Sequence, residues 1–151
     1  MKNRVLAASL IAGGLASMAL AADWIIAPGR WETTGEVRYG PNRPEGIPPV
    51  DKYATVDCIS ERYALAAKAP IPLPDDSCKV SNQRTEGRRV TFTVACDDTL
   101  LDYVIDTRPD AYSGTAVSRG KDPATHFTVK FDSKRTGPRC SAKELEAGGG
   151  E

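Results

Sequence analysis

The stretch CKVSNQRTEGRRVTFTVAC, residues 78–96, decides how this chain folds. Over residues 90–94, apolar side chains alternate with threonines, which is the pattern of a strand that buries one face. Gly87 lies near the centre of the stretch, where glycine can supply the positive φ angle that a tight turn needs. The stretch therefore predicts a β-hairpin with a three-residue loop over residues 86–88.

The register of this hairpin brings two cysteines together. With a three-residue loop, Thr85 lies opposite Arg89, and the same register places Cys78 opposite Cys96 on the apolar face. We therefore expect a disulfide between Cys78 and Cys96.

The N-terminus predicts a secretory signal peptide over residues 1–21. Two basic residues among the first four precede an apolar run over residues 5–20, and small side chains follow where signal peptidase requires them. The run is shorter than the roughly 20 residues of a membrane span. We expect cleavage between Ala21 and Ala22, with no stable membrane anchor afterwards.

All four cysteines follow this segment, and no two of them have the C-x-x-C spacing of zinc or thioredoxin-like sites. An even number of cysteines behind an export signal indicates disulfides formed in an oxidising compartment. Because Cys78 pairs with Cys96, Cys58 and Cys140 would form the second disulfide. We expect a periplasmic or secreted protein with no metal and no cofactor.

Alternating patterns along the remaining chain predict about seven strands in one β-rich domain, residues 22–141, followed by a disordered tail, residues 142–151. The pattern is weaker over residues 52–58 than elsewhere. Successive antiparallel strands favour a meander that forms either an open barrel or a two-layer sandwich. Besides the two strands of the hairpin, the predicted strands are residues 31–39, 52–58, 101–106, 112–118 and 126–134.

One short helix is expected in this all-β domain. Ser60 would cap a helix over Glu61–Lys68 that turns Tyr63, Ala66 and Ala67 towards the core. Three prolines follow within a few residues and would end it.

Several landmarks, taken in order, resemble a known family. They are Pro28-Gly29-Arg30-Trp31-Glu32, Cys58 before the helix, Cys78-Lys79-Val80, Val94-Ala95-Cys96, Tyr112-Ser113-Gly114-Thr115 and Gly137-Pro138-Arg139-Cys140. Over roughly residues 27–141, the chain resembles domain-of-unknown-function family 3617, small exported proteins of Gram-negative bacteria. The resemblance implies a periplasmic or secreted β-rich domain, and it supplies no activity and no catalytic residue.

The sequence contains no recognisable catalytic motif. His126 is the only histidine, and no G-x-S-x-G nucleophile motif is present. Asp97 and Asp98 fit a turn, and the carboxylates lack the spacing of a calcium loop. We expect no enzymatic activity. The alternatives are a hydrolase that uses Asp102 and Asp106 in a cleft with raised pKa values, and a purely structural envelope protein.

Six aromatic residues either fill the core or line a ligand cavity: Trp31, Tyr39, Phe92, Tyr103, Phe127 and Phe131. The formal net charge is zero, so electrostatics give no reason to expect a nucleic-acid partner. The sequence therefore favours an exported, non-enzymatic binding or interaction module. Its partner would be a protein or an apolar small molecule.

Overall fold

The computed structural model describes residues 25–73 and 77–143. The predicted signal peptide, its cleavage site between Ala21 and Ala22, and residues 144–151 of the predicted tail lie outside the described residues.

Seven antiparallel strands form one sheet, in the spatial order β2-β1-β7-β6-β5-β4-β3. The sheet does not close, and this single open sheet agrees with the open-barrel alternative of the prediction and not with the two-layer sandwich. One short helix and one 3-10 turn, Pro123–Thr125, complete the fold. The elements are β1 Gly29–Tyr39, β2 Val50–Ile59, α1 Glu61–Ala66, β3 Lys79–Glu86, β4 Arg89–Cys96, β5 Thr99–Arg108, β6 Ala111–Ser118 and β7 Phe127–Gly137.

The sheet combines a meander with an N-terminal hairpin. Strands β3 to β7 follow one another as neighbours, as predicted. The hairpin of β1 and β2 then joins this meander because β1 pairs with β7 over most of its length. The first and last strands are therefore neighbours in the sheet, and β2 and β3 form its two edges.

The β3–β4 hairpin has the predicted register only in the half that is farther from the turn. Val80 faces Val94 as expected, but the register shifts by one residue before the turn, so that Thr85 faces Val90. The prediction that Thr85 lies opposite Arg89 is wrong. The physical reason is a bulge at Asn82, whose φ of 54° leaves an extra residue in β3.

The bulge also shortens the loop to two residues, Gly87 and Arg88, because Glu86 pairs with Arg89. Gly87 has a φ of 61°, as predicted, and Arg88 does not have a positive φ. This is the pattern of a type II′ turn, whose twist matches that of the flanking strands.

Both disulfides have the expected partners. The sulfur atoms of Cys78 and Cys96 lie 2.07 Å apart, and those of Cys58 and Cys140 lie 1.97 Å apart. The first joins Cys78, the residue before the edge strand β3, to the last residue of β4, and the second ties the other edge strand, β2, to the segment after β7. Two disulfides are consistent with an oxidising, exported location.

The helix begins where it was predicted and ends two residues early. The Ser60 side chain accepts a hydrogen bond of 3.0 Å from the Tyr63 amide, which confirms the cap. The helix ends at Ala66, because a helix that continued would bring the Pro70 ring against the carbonyl of that residue. Ala64 is buried and Ala66 is exposed, so the prediction that Ala66 faces the core is wrong.

The core lies on one face of the sheet, here called the inner face, where the largest fully buried side chains are Trp31 and Phe92. The segment that contains α1 crosses part of this face and contributes Ala64 and Ile71 to the core. In the described part of the chain, no helix is long and apolar enough to span a membrane.

Candidate binding cavity

The rest of the inner face surrounds a cavity of about 460 Å³. Its lining comes from β1, β2, β5, β6, β7 and the segment 71–73. The volume lies within the range of about 300–1,000 Å³ that is typical of small-molecule sites. The apolar part of the lining includes Ile71, Leu101, Ala116, Phe127, Val129 and Phe131.

The sheet must curve strongly to form this cavity. Tyr53 on β2 and Tyr103 on β5 are four strands apart in the sheet order. In a flat sheet, four steps between strands amount to roughly 19 Å. Both side chains nevertheless line the same cavity, so the sheet bends between β2 and β5 and brings these two strands towards each other.

A continuous series of aromatic rings forms the floor of the cavity. The Tyr103 ring stacks on Phe92, with centroids 4.8 Å apart, and lies 6.3 Å from Phe131. Phe131 meets Tyr112 edge to face at 6.1 Å, and Tyr112 lies 5.3 Å from Trp31. Rings at these distances and angles support one another, which gives the floor a fixed shape.

Gly35 leaves room for the Tyr53 side chain, which forms one wall of the cavity. Gly35 on β1 pairs with Tyr53 on β2, and the Tyr53 ring lies across the position where a side chain would be. A Cβ atom at Gly35 would come within 2.4 Å of that ring. Gly35 therefore allows Tyr53 to lie over the inner face.

Three tyrosine hydroxyl groups lie in this region. Burial raises the pKa of Tyr103 to about 12, and the hydroxyls of Tyr53 and Tyr112 add to the rise. Burial also raises the pKa of Tyr112, although hydrogen bonds with Ser133 and Thr33 act in the opposite direction. The hydroxyls of Thr33 and Ser133 are themselves 2.8 Å apart and buried. The cavity thus has a polar side made of neutral hydroxyl groups.

Among the described side chains that line the cavity, Asp57 is the one charged residue. It lies opposite Trp31 in the β1–β2 register and accepts a hydrogen bond of 3.1 Å from the Thr55 hydroxyl. Its negative charge contributes to the raised pKa values of Tyr53 and Tyr112, after burial in both cases. The Asp57 carboxylate therefore lies in the same part of the cavity as the hydroxyl groups of Tyr53 and Tyr112.

The segment 71–73 forms another wall and is anchored to the helix. The Leu73 amide donates a hydrogen bond of 3.0 Å to the Tyr63 hydroxyl. Ile71 is buried in the core, so both ends of this short wall are fixed.

The six predicted aromatic residues divide between core and cavity. Tyr103, Phe127 and Phe131 line the cavity. Trp31 and Phe92 are buried in the core, with 2% of each side chain exposed. Tyr39 lies at the margin, where its ring centroid is 6.2 Å from that of Phe127.

Sequence reasoning named only three of the fourteen described residues that line the cavity, and the polar residues that it missed include Tyr53, Asp57 and Tyr112. For Tyr53 and Asp57, which lie on β2, the weak apolar–polar alternation of residues 52–58 indicated an unusual strand. The inward positions of β2 are polar, and Val56 on the opposite face is 53% exposed, which inverts the usual pattern. Such an inversion is expected where a strand faces a cavity and not a packed core.

The two carboxylates of the hydrolase alternative lie on the outer face of β5, opposite to the cavity. Asp102 forms an ion pair with Arg119 and accepts a hydrogen bond of 2.8 Å from Thr93. The hydrogen bond from Arg119 is the main reason why the pKa of Asp102 is lowered. That alternative required raised pKa values, and for Asp102 the expectation is wrong. Asp106 forms ion pairs with Arg88 and Arg108.

The remaining candidate residues lie in turns. His126 is exposed, and its Nε2 atom lies 2.9 Å from the Gly120 carbonyl oxygen. Asp97 and Asp98 form the two-residue loop between β4 and β5, and Asp97 has a φ of 48°. Within residues 25–73 and 77–143, no three His, Cys, Asp or Glu side chains are grouped as metal ligands.

Comparison with known proteins gave one family. No curated protein and no solved structure matched the chain. The family described as "Protein of unknown function (DUF3617)" matches residues 26–140, which includes every strand of the sheet and both disulfides. The chain belongs to this family.

Proposed function

We propose that this protein is an exported, non-enzymatic binding module that holds an apolar small molecule in the cavity of the inner face. The cavity itself is the observation that carries the proposal. Its volume of about 460 Å³ fits a small molecule, and aromatic and aliphatic side chains form most of its lining.

The energetics favour an apolar occupant. Each Å² of apolar surface that is removed from water contributes about 25 cal/mol. A ligand that covers Phe127, Val129 and Phe131 would remove its own apolar surface and that of these side chains from water, and both surfaces would contribute to the free energy of binding. The floor and the wall at residues 71–73 are already held in place by ring contacts and hydrogen bonds, so little ordering cost opposes binding.

The scaffold also supports an exported role. Each disulfide restrains one edge of the sheet, at β2 and at β3. Cross-links at both edges limit how far the open sheet can flatten, and disulfides persist outside the reducing cytoplasm. The same bonds therefore maintain the cavity in the compartment that we propose.

A fluorescence titration with N-phenyl-1-naphthylamine, a neutral apolar probe, tests the proposal. We expect saturable binding by the wild type with one probe per chain. Ala116→Phe, which extends a buried side chain into the cavity, should weaken binding at least tenfold. The matched control is Thr115→Phe, which adds the same ring to the neighbouring exposed position on the outer face of β6 and should bind like the wild type.

Two results would contradict the proposal. One is the absence of saturable binding by the folded wild type, and the other is equal binding by the two Phe variants. Circular dichroism establishes that each variant is folded. If Ala116→Phe does not fold, Thr55→Phe replaces it, because Thr55 is exposed and lines the cavity from the edge strand.

A further inference from the structure

The residues on the inner face of β2 are more polar than expected for a cavity that binds a pure hydrocarbon. Its three cavity-lining residues are Tyr53, Thr55 and Asp57, all of which have polar groups. A β-strand that faces an apolar ligand would be expected to carry valine or isoleucine at these positions. The polar row indicates that one side of the ligand is polar as well.

The charge of this row is negative and unbalanced. Asp57 receives its hydrogen bond from a neutral hydroxyl, that of Thr55. Among the described residues, no lysine or arginine forms an ion pair with Asp57, whereas Asp102, Asp106 and Asp110 each have an arginine partner. Within the part of the chain that the structure describes, the carboxylate in the cavity therefore has no lysine or arginine as an ion-pair partner.

The aromatic rings around the carboxylate favour the same sign of ligand charge. Tyr53 and Tyr112 both lie close enough to Asp57 for its charge to raise their pKa values, in addition to burial. The faces of aromatic rings attract cations, and ammonium groups bind in cages of such rings. A carboxylate and several rings together form a site that attracts a cation and repels an anion.

We propose that the ligand is an amphiphile with a cationic amino or quaternary ammonium group, which lies beside Asp57 while the apolar part covers Phe127 and Phe131. This inference rests on the proposed function and adds the chemical class of the ligand. Asp57 supplies the opposite charge, Tyr53 and Tyr112 line the same cavity, and the Thr55 hydroxyl donates a hydrogen bond to the carboxylate.

Three compounds with the same ten-carbon chain separate the inference from the proposed function. Decyltrimethylammonium is the cationic probe, 1-decanol is neutral and decyl sulfate is anionic. Each displaces N-phenyl-1-naphthylamine at concentrations below the critical micelle concentration of the ionic compounds and below the aqueous solubility of the alcohol. We expect the cation to bind about fivefold to tenfold more tightly than the alcohol. The sulfate should bind most weakly.

The outcomes distinguish the two proposals. If the alcohol or the sulfate binds as tightly as the cation, the cationic ligand class is wrong, and the apolar binding function stands. If neither the fluorescent probe nor any decyl compound binds, the proposed function fails, and this inference fails with it.

A pair of variants locates the charge effect. Asp57→Asn keeps the shape of the side chain and should reduce the preference for the cation over the alcohol to about twofold or less. Asp132→Asn makes the same change of charge at an exposed position on β7 outside the cavity and should leave the preference unchanged. Equal loss of preference in both variants would show that the overall charge of the protein, and not Asp57, selects the cation.

Discussion

Removal of the two disulfides, one at a time, should cost different amounts of stability. The Cys58–Cys140 bond closes a loop with a sequence separation of 82 residues, and the Cys78–Cys96 bond closes one of 18. A cross-link restricts the unfolded chain more when its loop is longer, which gives roughly 4.5 kcal/mol for the first bond and roughly 3 kcal/mol for the second. Cys58→Ala with Cys140→Ala should therefore destabilise the fold by about 1.5 kcal/mol more than Cys78→Ala with Cys96→Ala.

The same pair of variants should differ in ligand binding. The Cys58–Cys140 bond restrains β2, which carries Tyr53 and Asp57, so its removal should weaken binding of N-phenyl-1-naphthylamine more than removal of the other bond. Urea unfolding followed by tryptophan fluorescence gives the free energies, and titration of the folded variants gives the affinities. A larger destabilisation from loss of the shorter loop would refute the reasoning, as would a loss below 1 kcal/mol for both.

Three further predictions concern the cavity wall, the buried tyrosines and the N-terminus. Gly35→Val should displace the Tyr53 ring and destabilise the protein by about 1–3 kcal/mol in urea unfolding, whereas Thr34→Val on the outer face should change stability by less than about 0.5 kcal/mol. Burial raises the pKa of Tyr103 from 10.0 to about 12. The contribution of its neutral hydroxyl to the free energy of unfolding is therefore fully present below pH 10.0 and is lost as the pH rises through about 12. Stability should therefore fall between about pH 10 and pH 12 in urea unfolding, and Tyr103→Phe should reduce this fall; an identical pH dependence in the variant would contradict the assignment. Protein exported by a Gram-negative host should have the mass of a chain that begins at Ala22, and a full-length mass would contradict the predicted cleavage.

Local patterns in the sequence were sufficient to predict the strands, and the predicted cysteine pairs were correct although the register near the turn was not. The two-residue turn alone would place Cys78 opposite Asp97, and the bulge at Asn82 restores the register that brings Cys78 opposite Cys96. The shift nearer the turn could not be predicted, because it depends on the backbone conformation of Asn82, and asparagine is also common in ordinary strand and turn positions.

The cavity was harder to predict than the strands because it depends on the curvature of the whole sheet. Pairing of β1 with β7 joins residues about a hundred positions apart, and no local pattern specifies it. The sequence did mark the cavity indirectly, since the alternation fails in β2, where Asp57 faces inward and Val56 faces outward. A strand that breaks the apolar pattern inside a regular sheet is a useful indication of a site.

The most direct test of binding at the inner face is measurement of intermolecular nuclear Overhauser effects with bound N-phenyl-1-naphthylamine. We expect contacts from the probe to the Ala116 methyl group and to the rings of Phe127 and Phe131, which line the cavity. Contacts to Val56 and Val117, which are 53% and 42% exposed on the outer face, with none to Ala116, would show that the probe binds elsewhere and that the cavity is not the binding site.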